Sequence, residues 1–456
     1  MKIMMNKVYS FIKEHKGILI LMILLFLERV VAMYEFGIMY SLKNDDLSYV
    51  NSGITFAKTG MITMHDTVPS AQIMPGMTVL IGFLSLIFGE GKLFWLVMKL
   101  LWFFMASMTA WFTYRSVSLF TPKWCGILAA VFYFRPDYVW MDNVILTETP
   151  FLLALTAMIY FTFKMAKEPG YKNFWLCAIA YFCGLMLKAN IAPYPLFVLV
   201  YLLIVKYDKK LLIKQCALLI GCVLCFLIPW SIRNYTHFNA FIPLTYGSGN
   251  PTLLGTYQGV RYPADEKLDY ETNVEEVARE KYAEYYGEDG EVLPQYRRYV
   301  SLGKDAIKAR YRQKYWAQTD WKSMVYSYFV RKPQDMLNSI FYWKMTFNIK
   351  GELLKEFPIW ENLFCILTVL AALILKKYRY AVFYAAAVYL GNIYIYAMTY
   401  SYSRYNASLI SAKYILIGIG ISLVLQLFMK GIRAINTFET TQLAEKNAEE
   451  GNKSYD

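Results

Sequence analysis

Long apolar runs alternate with short polar segments along most of the chain, and this pattern predicts a bundle of membrane-spanning helices. A helix needs about 20 mostly apolar residues to cross a bilayer, and we predict about ten such spans. They lie at 17–39, 93–113, 124–140, 149–165, 173–187, 192–206, 212–230, 357–375, 380–398 and 407–428. The predicted fold class is therefore an all-α polytopic membrane protein.

The apolar run Pro75–Phe88 is too short to cross a bilayer and suits an interfacial or re-entrant helix better. If it does not cross, the lysines and arginines between the following spans fall in the cytoplasm, as the positive-inside rule requires. If it crosses, they fall outside. We therefore predict that it lies on the membrane surface, within a first external loop at 41–92 that contains interfacial helices.

A polar, tyrosine-rich stretch at 231–355 interrupts the apolar pattern. It is long enough for one mostly helical extracytoplasmic subdomain between spans seven and eight, with helices expected at Asn273–Tyr286 and Tyr299–Trp316. This stretch separates a transmembrane catalytic module at 1–230 from C-terminal transmembrane helices at 356–429.

Both termini are predicted to be cytoplasmic. Lys2, Lys7, Lys13 and Lys16 precede the first apolar run, and no small-residue cleavage site follows it, so we expect a retained anchor rather than a signal peptide. The charged tail at 430–456 has too little apolar content to fold alone, and we expect a short cytoplasmic helix or disorder there.

Composition agrees with the hydropathy pattern. Hydrophobic residues make up 57% of the 456 residues, and the mean hydropathy is +0.31. The net charge of +13 does not indicate nucleic-acid binding, because the basic residues lie in short loops rather than in one patch. All seven cysteines fall in apolar segments, so the C-x-x-C spacing of Cys222 and Cys225 indicates packing residues rather than a metal or redox site.

An acidic stretch, Asn44–Tyr49, follows the first predicted span and is placed outside by the basic N-terminus. Adjacent carboxylates beside a membrane are costly unless they are solvated, paired or used, so Asp45 and Asp46 are candidates for catalysis. The apolar spacing that follows predicts a helix ending at Gly60, and Asn44 or Asp45 would be a favoured cap for it. Capping and catalysis both remain open at this point.

The predicted topology brings acids and bases to one membrane face, an arrangement that suits a lipid phosphate and a hydroxyl that must be activated. A structural role is also open for several of them, since a helix N-terminus stabilises Glu148 and basic residues near span ends reach to the headgroups. With three histidines in the chain, we expect no Ser/His/Asp set, and no P-loop or zinc motif is present. The residues on this face are Asp45, Asp46, His65, Asp66, Asp142, Glu148, Lys188, Arg233 and Arg404.

Several short motifs then follow one another in a characteristic order. They are Asn44-Asp45-Asp46-x-x-Tyr49, Ala57-x-x-Gly60, Met74-Pro75-Gly76, Leu146-Thr147-Glu148, Pro229-Trp230-Ser231-Ile232-Arg233-Asn234 with Pro243 and Gly247, and Ser403-Arg404-Tyr405. Together they resemble the GT-C superfamily of membrane glycosyltransferases, which includes protein O-mannosyltransferase and aminoarabinose transferase-like enzymes that use polyprenyl-phosphate sugars. The external stretch and the tail are not matched.

The chain departs from this family at two places. The family's loop usually reads Asp-Glu where this chain has Asp45-Asp46, which leaves open which carboxylate acts. The family also often carries a basic residue early in the second span, and neither Lys92 nor Lys99 matches it cleanly.

The resemblance implies that a sugar is transferred outside the cell from a polyprenyl-phosphate-linked donor, with inversion, to the hydroxyl of an acceptor protein, lipid or glycan. Asp45 would be the base by motif position, and Asp46 and Glu148 would orient the acceptor or hold a divalent cation such as magnesium or manganese. The leaving phosphate would be stabilised by basic residues, Arg404 first among them. The implied substrate-binding residues are Tyr49, Lys188, Arg233, Arg404 and Tyr405.

Other functions remain open. A polysaccharide polymerase or ligase would share the lipid-linked substrate but use arginines and a histidine of the external stretch, where His237 and Arg261 lie. A lipid-linked sugar flippase or transporter would carry ionisable residues in mid-span, and only Asp142 and Arg135 come near that description. In every case we expect a multi-pass protein of the cell membrane with membrane lipid around it, an extracytoplasmic site and no nucleic-acid partner.

Overall fold

The computed structural model describes residues 2–264 and 270–452, and within these ranges the chain forms helices, turns and two isolated bridges but no strand. The first part contains α1 (Lys2–Phe36), α2 (Asp45–Thr59), α3 (Gly76–Phe88), α4 (Lys92–Ser118), α5 (Lys123–Val131), α6 (Pro136–Asp142), α7 (Glu148–Lys167), α8 (Tyr171–Leu187), α9 (Tyr194–Ile204) and α10 (Lys209–Phe238). The second part contains α11 (Gly249–Gly255), α12 (Tyr270–Lys281), α13 (Arg297–Tyr326), α14 (Lys332–Asn338), α15 (Phe357–Leu375), α16 (Arg379–Ala397) and α17 (Ile410–Asn452).

Seven helical stretches of the described chain are long and apolar enough to cross a membrane, which makes this a multi-pass membrane protein as predicted. The other three predicted spans correspond to shorter helices, namely α5 with α6, α8 and α9, so the count of ten stays a prediction. The seven stretches are Val8–Phe36, Lys92–Ser118, Glu148–Lys167, Lys209–Phe238, Gly351–Leu375, Arg379–Ala397 and Ser403–Ala434.

The span predicted at 124–140 is not one helix. It is divided into α5, a 3₁₀ turn at Phe132–Phe134 and α6, and the break falls at Arg135, whose backbone is extended (φ −60°, ψ 134°). The cause is Pro136, since a proline ring disfavours the helical conformation of the residue before it and is well accepted at the first position of a new helix.

Helices α1 and α4 run antiparallel. At one end the Lys99 ammonium donates to the Gly37 carbonyl at 3.3 Å, and at the other the His15 ring and the Tyr114 hydroxyl are hydrogen-bonded at 2.9 Å. The intervening segment, which carries α2 and α3, therefore leaves and re-enters the bundle at the same end. We call this the Asp45 end.

Helix α2 ends at Gly60, which adopts the left-handed conformation (φ 73°) that a glycine tolerates best, as the sequence predicts. It packs closely on α3, where a side chain added to Gly53 would clash with the backbone nitrogen of Gly82 at 2.9 Å. Helix α3 buries one face and exposes the other. The exposed apolar residues are Val79, Phe83, Leu86 and Ile87.

Helices α11 to α14 lie between the candidate spans α10 and α15. The two helices predicted there are longer or shifted in the structure, as α12 and α13 show, because the sequence pattern marks helix ends only loosely. The tail continues α17 as a helix to Asn452. Residues 265–269 of the predicted subdomain and 453–456 of the predicted tail lie outside the described residues.

A buried, charge-balanced cluster ties the broken span to the C-terminal helices. Arg135 bonds to Asp137 and, at 2.6 Å, to Glu361, and Glu361 also accepts from Lys413 at 2.5 Å. The sequence singles out only Arg135, because nothing in the local pattern shows that Glu361 and Lys413 face inward on α15 and α17. Their mutual pairing makes them packing elements of the bundle.

Candidate active site

The start of α2 separates the two neighbouring carboxylates. The Asp46 side chain is buried, and its oxygens accept from the backbone N–H groups of Leu42 (2.7 Å) and Asn44 (3.1 Å). Asn44 occupies the N-cap position, but its side chain makes no capping hydrogen bond. The Asp46 carboxylate instead accepts hydrogen bonds from backbone N–H groups that precede the helix. Asp46 thereby shapes the turn before the helix, and Asp45 points away from it.

Arg404 is the centre of the site. Its Nη1 donates to Oδ2 of Asp45 at 2.5 Å, and its Nε donates to Oε1 of Glu148 at 2.6 Å. The same Glu148 oxygen accepts from Lys188 Nζ at 2.8 Å. Four predicted site residues therefore form one network of two carboxylates and two cations, contributed by α2, α7, the end of α8 and the segment before α17.

The four residues differ in exposure. The Glu148 side chain is 1% exposed, Arg404 11%, Lys188 14% and Asp45 35%. The network thus runs from a buried carboxylate outward to Asp45. A substrate approaching from the aqueous side would meet Asp45 before it meets Glu148.

A second buried ion pair, formed by Arg29 and Asp142, holds the first turn of the helix that begins at Glu148. Arg29 of α1 donates through Nε to Asp142 Oδ2 at 2.8 Å, and Asp142 accepts from the Thr149 hydroxyl at 2.6 Å. Thr149 follows Glu148 directly, so the first turn of α7 is tied to α1 and to the end of α6. Asp142, predicted on this face, serves the site through that contact rather than by touching Glu148.

Tyrosines line the network. Tyr405 stacks on Tyr396 with ring centroids 4.4 Å apart, and the Lys188 ammonium lies 5.9 Å from the Tyr405 ring. Tyr49 is buried beside Arg404, and burial raises the pKa of its hydroxyl well above the ordinary value. A neutral, buried phenol is suited to shaping the pocket or donating a hydrogen bond, not to carrying charge.

Opposing effects act on the ionisation of Asp45. Burial alone would raise the pKa of this carboxyl, but the hydrogen bond from His65 and the charge of Arg404 outweigh it and hold the pKa well below the ordinary range. Asp45 is therefore ionised at neutral pH. As an ionised group, it accepts hydrogen bonds and donates none.

His65 completes the environment of Asp45, and the sequence analysis did not give it a role. Its Nε2 lies 3.0 Å from Asp45 Oδ1, and its Nδ1 lies 2.9 Å from the Ser48 hydroxyl. The expectation that the chain has no Ser/His/Asp set is corrected by these contacts. The signal in the sequence was slight, because 17 positions separate Ser48 from His65 and no motif links them.

Arg233 lies apart from this network. Its guanidinium donates to the backbone carbonyls of Ser70 (2.8 Å) and Ile62 (3.5 Å) and sits over the Trp230 ring. It therefore holds the loop between α2 and α3 against the end of α10. No contact joins it to Asp45 or Arg404 within the described part of the chain.

The donor groups do not fit the divalent cation that Asp46 and Glu148 were expected to hold. Asp46 is occupied by backbone N–H groups, and Glu148 faces two cations that already balance its charge. Across residues 2–264 and 270–452, no group of three or more His, Cys, Asp or Glu side chains is arranged around a common point. We therefore derive no step through a metal.

His237 and Arg261, the residues that a polymerase or ligase would use, do not lie at this site. Arg261 is 78% exposed and faces Asp320 at 3.8 Å, and His237 belongs to the last turn of α10. Neither contacts the network around Arg404 in the ranges that the structure covers.

No family model matches the sequence, and no curated protein matches it. The structure is similar to the archaeal oligosaccharyltransferase AglB from Archaeoglobus fulgidus, solved with an inhibitory peptide and a dolichol-phosphate, with a TM-score of 0.54 and 11% identity over 93% of this chain and 52% of that chain. ArnT from Cupriavidus metallidurans, bound to undecaprenyl phosphate, gives a TM-score of 0.37 and 14% identity over 89% of this chain and 77% of that chain. The chain thus spans about half the length of AglB. At 11% identity, the likeness to AglB shows a shared fold.

Proposed function

We propose that the protein is an integral membrane glycosyltransferase that moves a sugar from a polyprenyl-phosphate donor to an acceptor hydroxyl on the extracytoplasmic face. The observation that carries this proposal is the contact of Arg404 with both Asp45 and Glu148 at one end of an apolar bundle. A solvent-facing carboxylate beside paired cations, next to the membrane, suits a reaction between a water-borne hydroxyl and a lipid phosphate.

The carboxylate side of the network and its cations take different parts in the reaction. On the Asp45 side, the acceptor hydroxyl loses its proton as its oxygen bonds to the anomeric carbon from the face opposite the phosphate, which inverts that carbon. On the other side, the bond from that carbon to the phosphate oxygen breaks, and negative charge grows on the lipid phosphate. Arg404 and Lys188 supply fixed donors for this charge. Motif position gives the base role to Asp45.

The lipid part of the donor would lie along α3. This helix is anchored on α2 and α8, since a side chain added to Gly76 would clash with the carbonyl of Met186 at 2.5 Å. Its outer face exposes apolar side chains such as Phe83 (60%) and Leu86 (68%). An apolar face beside the site can hold an isoprenoid chain while its phosphate reaches the cations.

The proposed topology follows from the placement of charge. Both termini lie in the cytoplasm, the 1–230 module and the 356–429 helices form the membrane part, and 231–355 covers the outer face. The 430–456 tail extends into the cytoplasm. The acceptor is a protein, lipid or glycan hydroxyl, and the dolichol-phosphate in the AglB structure supports a lipid phosphate as the donor's carrier.

The transporter alternative rests on buried charge within the bundle, and the structure contains more of it than the sequence suggested. The Arg135–Asp137–Glu361–Lys413 cluster is internally neutral, and each member is hydrogen-bonded to another member. Such pairing favours a stabilising role over a site for a moving charge.

The experiment that tests the proposal is transfer of radiolabelled sugar from a panel of polyprenyl-phosphate donors in membranes that contain the protein. We expect one donor to be consumed and its label to appear in an acceptor fraction. If no donor is consumed in membranes from the native host, where the acceptor is present, the proposal is wrong.

A further inference from the structure

Asp45, His65 and Ser48 form an ordered chain of carboxylate, imidazole and hydroxyl. The Asp45 oxygen Oδ1 lies 3.0 Å from His65 Nε2, and His65 Nδ1 lies 2.9 Å from Ser48 Oγ. Because an ionised carboxylate can only accept, Nε2 carries the hydrogen in this contact. In the neutral ring, Nδ1 therefore holds the lone pair, and the Ser48 hydroxyl donates to it.

The backbone of His65 shows that this side chain is held in place. Its φ of +59° lies in the left-handed region, which non-glycine residues occupy uncommonly and at some cost. The two hydrogen bonds offset that cost by tying the ring to α2 from both sides. The loop between α2 and α3 therefore presents the imidazole to the site in one orientation.

Asp45 itself is poorly suited to removing a proton. Arg404 engages Oδ2 and His65 engages Oδ1, so both oxygens are already hydrogen-bonded to donors, and the low pKa of the carboxyl makes it a weak base. A general base is most effective when its pKa lies near the working pH, and imidazole is the side chain for which this is ordinarily so.

We propose that His65 is the catalytic base of the site and that Asp45 orients its ring. The inference rests on the proposed glycosyltransferase function and reassigns within it the base role that motif position gives to Asp45. The Ser48 hydroxyl occupies the position at Nδ1 that the acceptor hydroxyl takes during the reaction. Rotation of the small Ser48 side chain frees that position.

The acceptor O–H bond breaks, and its proton moves to Nδ1 of His65. The acceptor oxygen forms its bond to the anomeric carbon, and the electron pair of the broken carbon–oxygen bond leaves on the lipid phosphate. The imidazolium is stabilised by Asp45 through Nε2–H, in the manner of an aspartate behind a catalytic histidine.

Accessibility agrees with this assignment. The His65 side chain is 25% exposed, whereas Glu148 is 1% exposed and enclosed by two cations. The charged groups around the ring are Asp45 on α2, Arg404 beyond it and Asp66, its neighbour in the loop, whose carboxylate accepts from the Thr67 N–H at 2.6 Å. Asp45 is the one that touches the ring.

Three variants separate the roles. His65→Gly suits the left-handed backbone and leaves a space for free imidazole. His65→Asn also tolerates that backbone, but its amide lies near the position of Nδ1, does not replace the Nε2–H contact with Asp45 and has no basic nitrogen. Ser48→Ala removes one of the two hydrogen bonds to the ring and keeps the contact with Asp45.

With a donor that the wild type consumes, we expect His65→Gly and His65→Asn each to lower the transfer rate by about 10² to 10⁴-fold at unchanged protein level. Added imidazole should restore part of the rate of His65→Gly and none of His65→Asn. Ser48→Ala should lower the rate far less than His65→Gly, because the contact with Asp45 still orients the ring.

A His65→Asn rate near that of the wild type would show that the reaction does not need a basic nitrogen at this position and would overturn the inference. So would a loss in Ser48→Ala as large as that in His65→Gly, because the hydroxyl itself would then take part. Failure of the wild type to consume any donor is a different result and counts against the proposed function instead.

Discussion

Arg404 donates one hydrogen bond to Asp45 and another to Glu148, so a single guanidinium joins the carboxylate that faces solvent to the one that is buried. These residues come from segments far apart in the sequence, and the planar fork of an arginine reaches both with fixed geometry. The arrangement orients Asp45 and at the same time keeps a cation beside the place proposed for the leaving phosphate.

Arg404→Lys tests this double role. An ammonium is a point charge that cannot make both contacts with the same geometry, so we expect the transfer rate to fall by about 10² to 10³-fold. The measurement is the initial rate of sugar transfer per amount of protein. Arg261→Lys, at a largely exposed arginine, is the matched control and should leave the rate unchanged. Equal rates for both variants would remove Arg404 from the mechanism.

Asp46→Asn should behave unlike a substitution at Asp45. The amide can still accept through one oxygen, so one of the two contacts to Leu42 and Asn44 is lost, at a cost of about 1.5 to 3 kcal/mol for bonds to a charged group. We expect a lower thermal midpoint in detergent and a transfer rate per folded molecule close to that of the wild type. A loss of rate without a loss of stability would give Asp46 the chemical role instead.

Lys332 makes stability depend on pH. It is fully buried, lies 3.5 Å from the Tyr328 ring centroid and donates to the Thr399 carbonyl, and burial lowers its pKa to about 7. An unfolded chain holds this proton up to about pH 10.4, so between these values the unfolded state binds more protons and stability rises with pH. Below about pH 7 the lysine is charged in both the folded and the unfolded state, and the folded protein is destabilised by the whole free-energy cost of burying the charge.

Lys332→Met should therefore raise the thermal midpoint most at low pH, and its advantage should shrink as the pH rises toward 10. Thermal midpoints measured across this range for the variant and the wild type check the trend. Lys350→Met, at an exposed lysine, is the control and should show no such trend. An advantage that is constant with pH would mean that the lysine titrates normally in the folded protein.

Glu361→Gln should destabilise the bundle without affecting the chemistry. It leaves Arg135 and Lys413 buried without their shared carboxylate, a loss typically of about 3 to 5 kcal/mol. We expect a clearly lower thermal midpoint and an unchanged rate per folded molecule. The exposed Glu352→Gln is the matched control, and an unchanged midpoint in Glu361→Gln would contradict the structural role of the cluster.

Hydropathy and local sequence signals predicted much of the helical architecture. The apolar runs gave the long helices, Gly60 marked the end of α2, and the run Pro75–Phe88 corresponds to the short helix α3. The positive-inside rule predicted Asp45, Glu148 and Arg404 on one membrane face, and in the structure Arg404 contacts both carboxylates. The break before Pro136 was not predicted, since 124–140 was expected to form one span, although proline acts locally.

Contacts between distant segments could not be predicted in this way. Two adjacent aspartates look alike in sequence, and only the backbone turn shows that Asp46 faces inward while Asp45 faces Arg404. The pairing of Ser48 with His65 depends on a loop whose course no local pattern specifies. Glu361 lies in an apolar run, and its partners become known only when the helices are packed.

We propose that the network at Asp45 transfers a sugar from a polyprenyl phosphate. The most direct measurement compares wild type, Asp45→Asn and the neighbouring control Asp66→Asn in membranes supplied with the radiolabelled donor that the wild type consumes. We predict that Asp45→Asn is inserted at the wild-type level and transfers no sugar, whereas Asp66→Asn transfers normally. Normal transfer by Asp45→Asn would show that the network at Asp45 does not carry out the reaction.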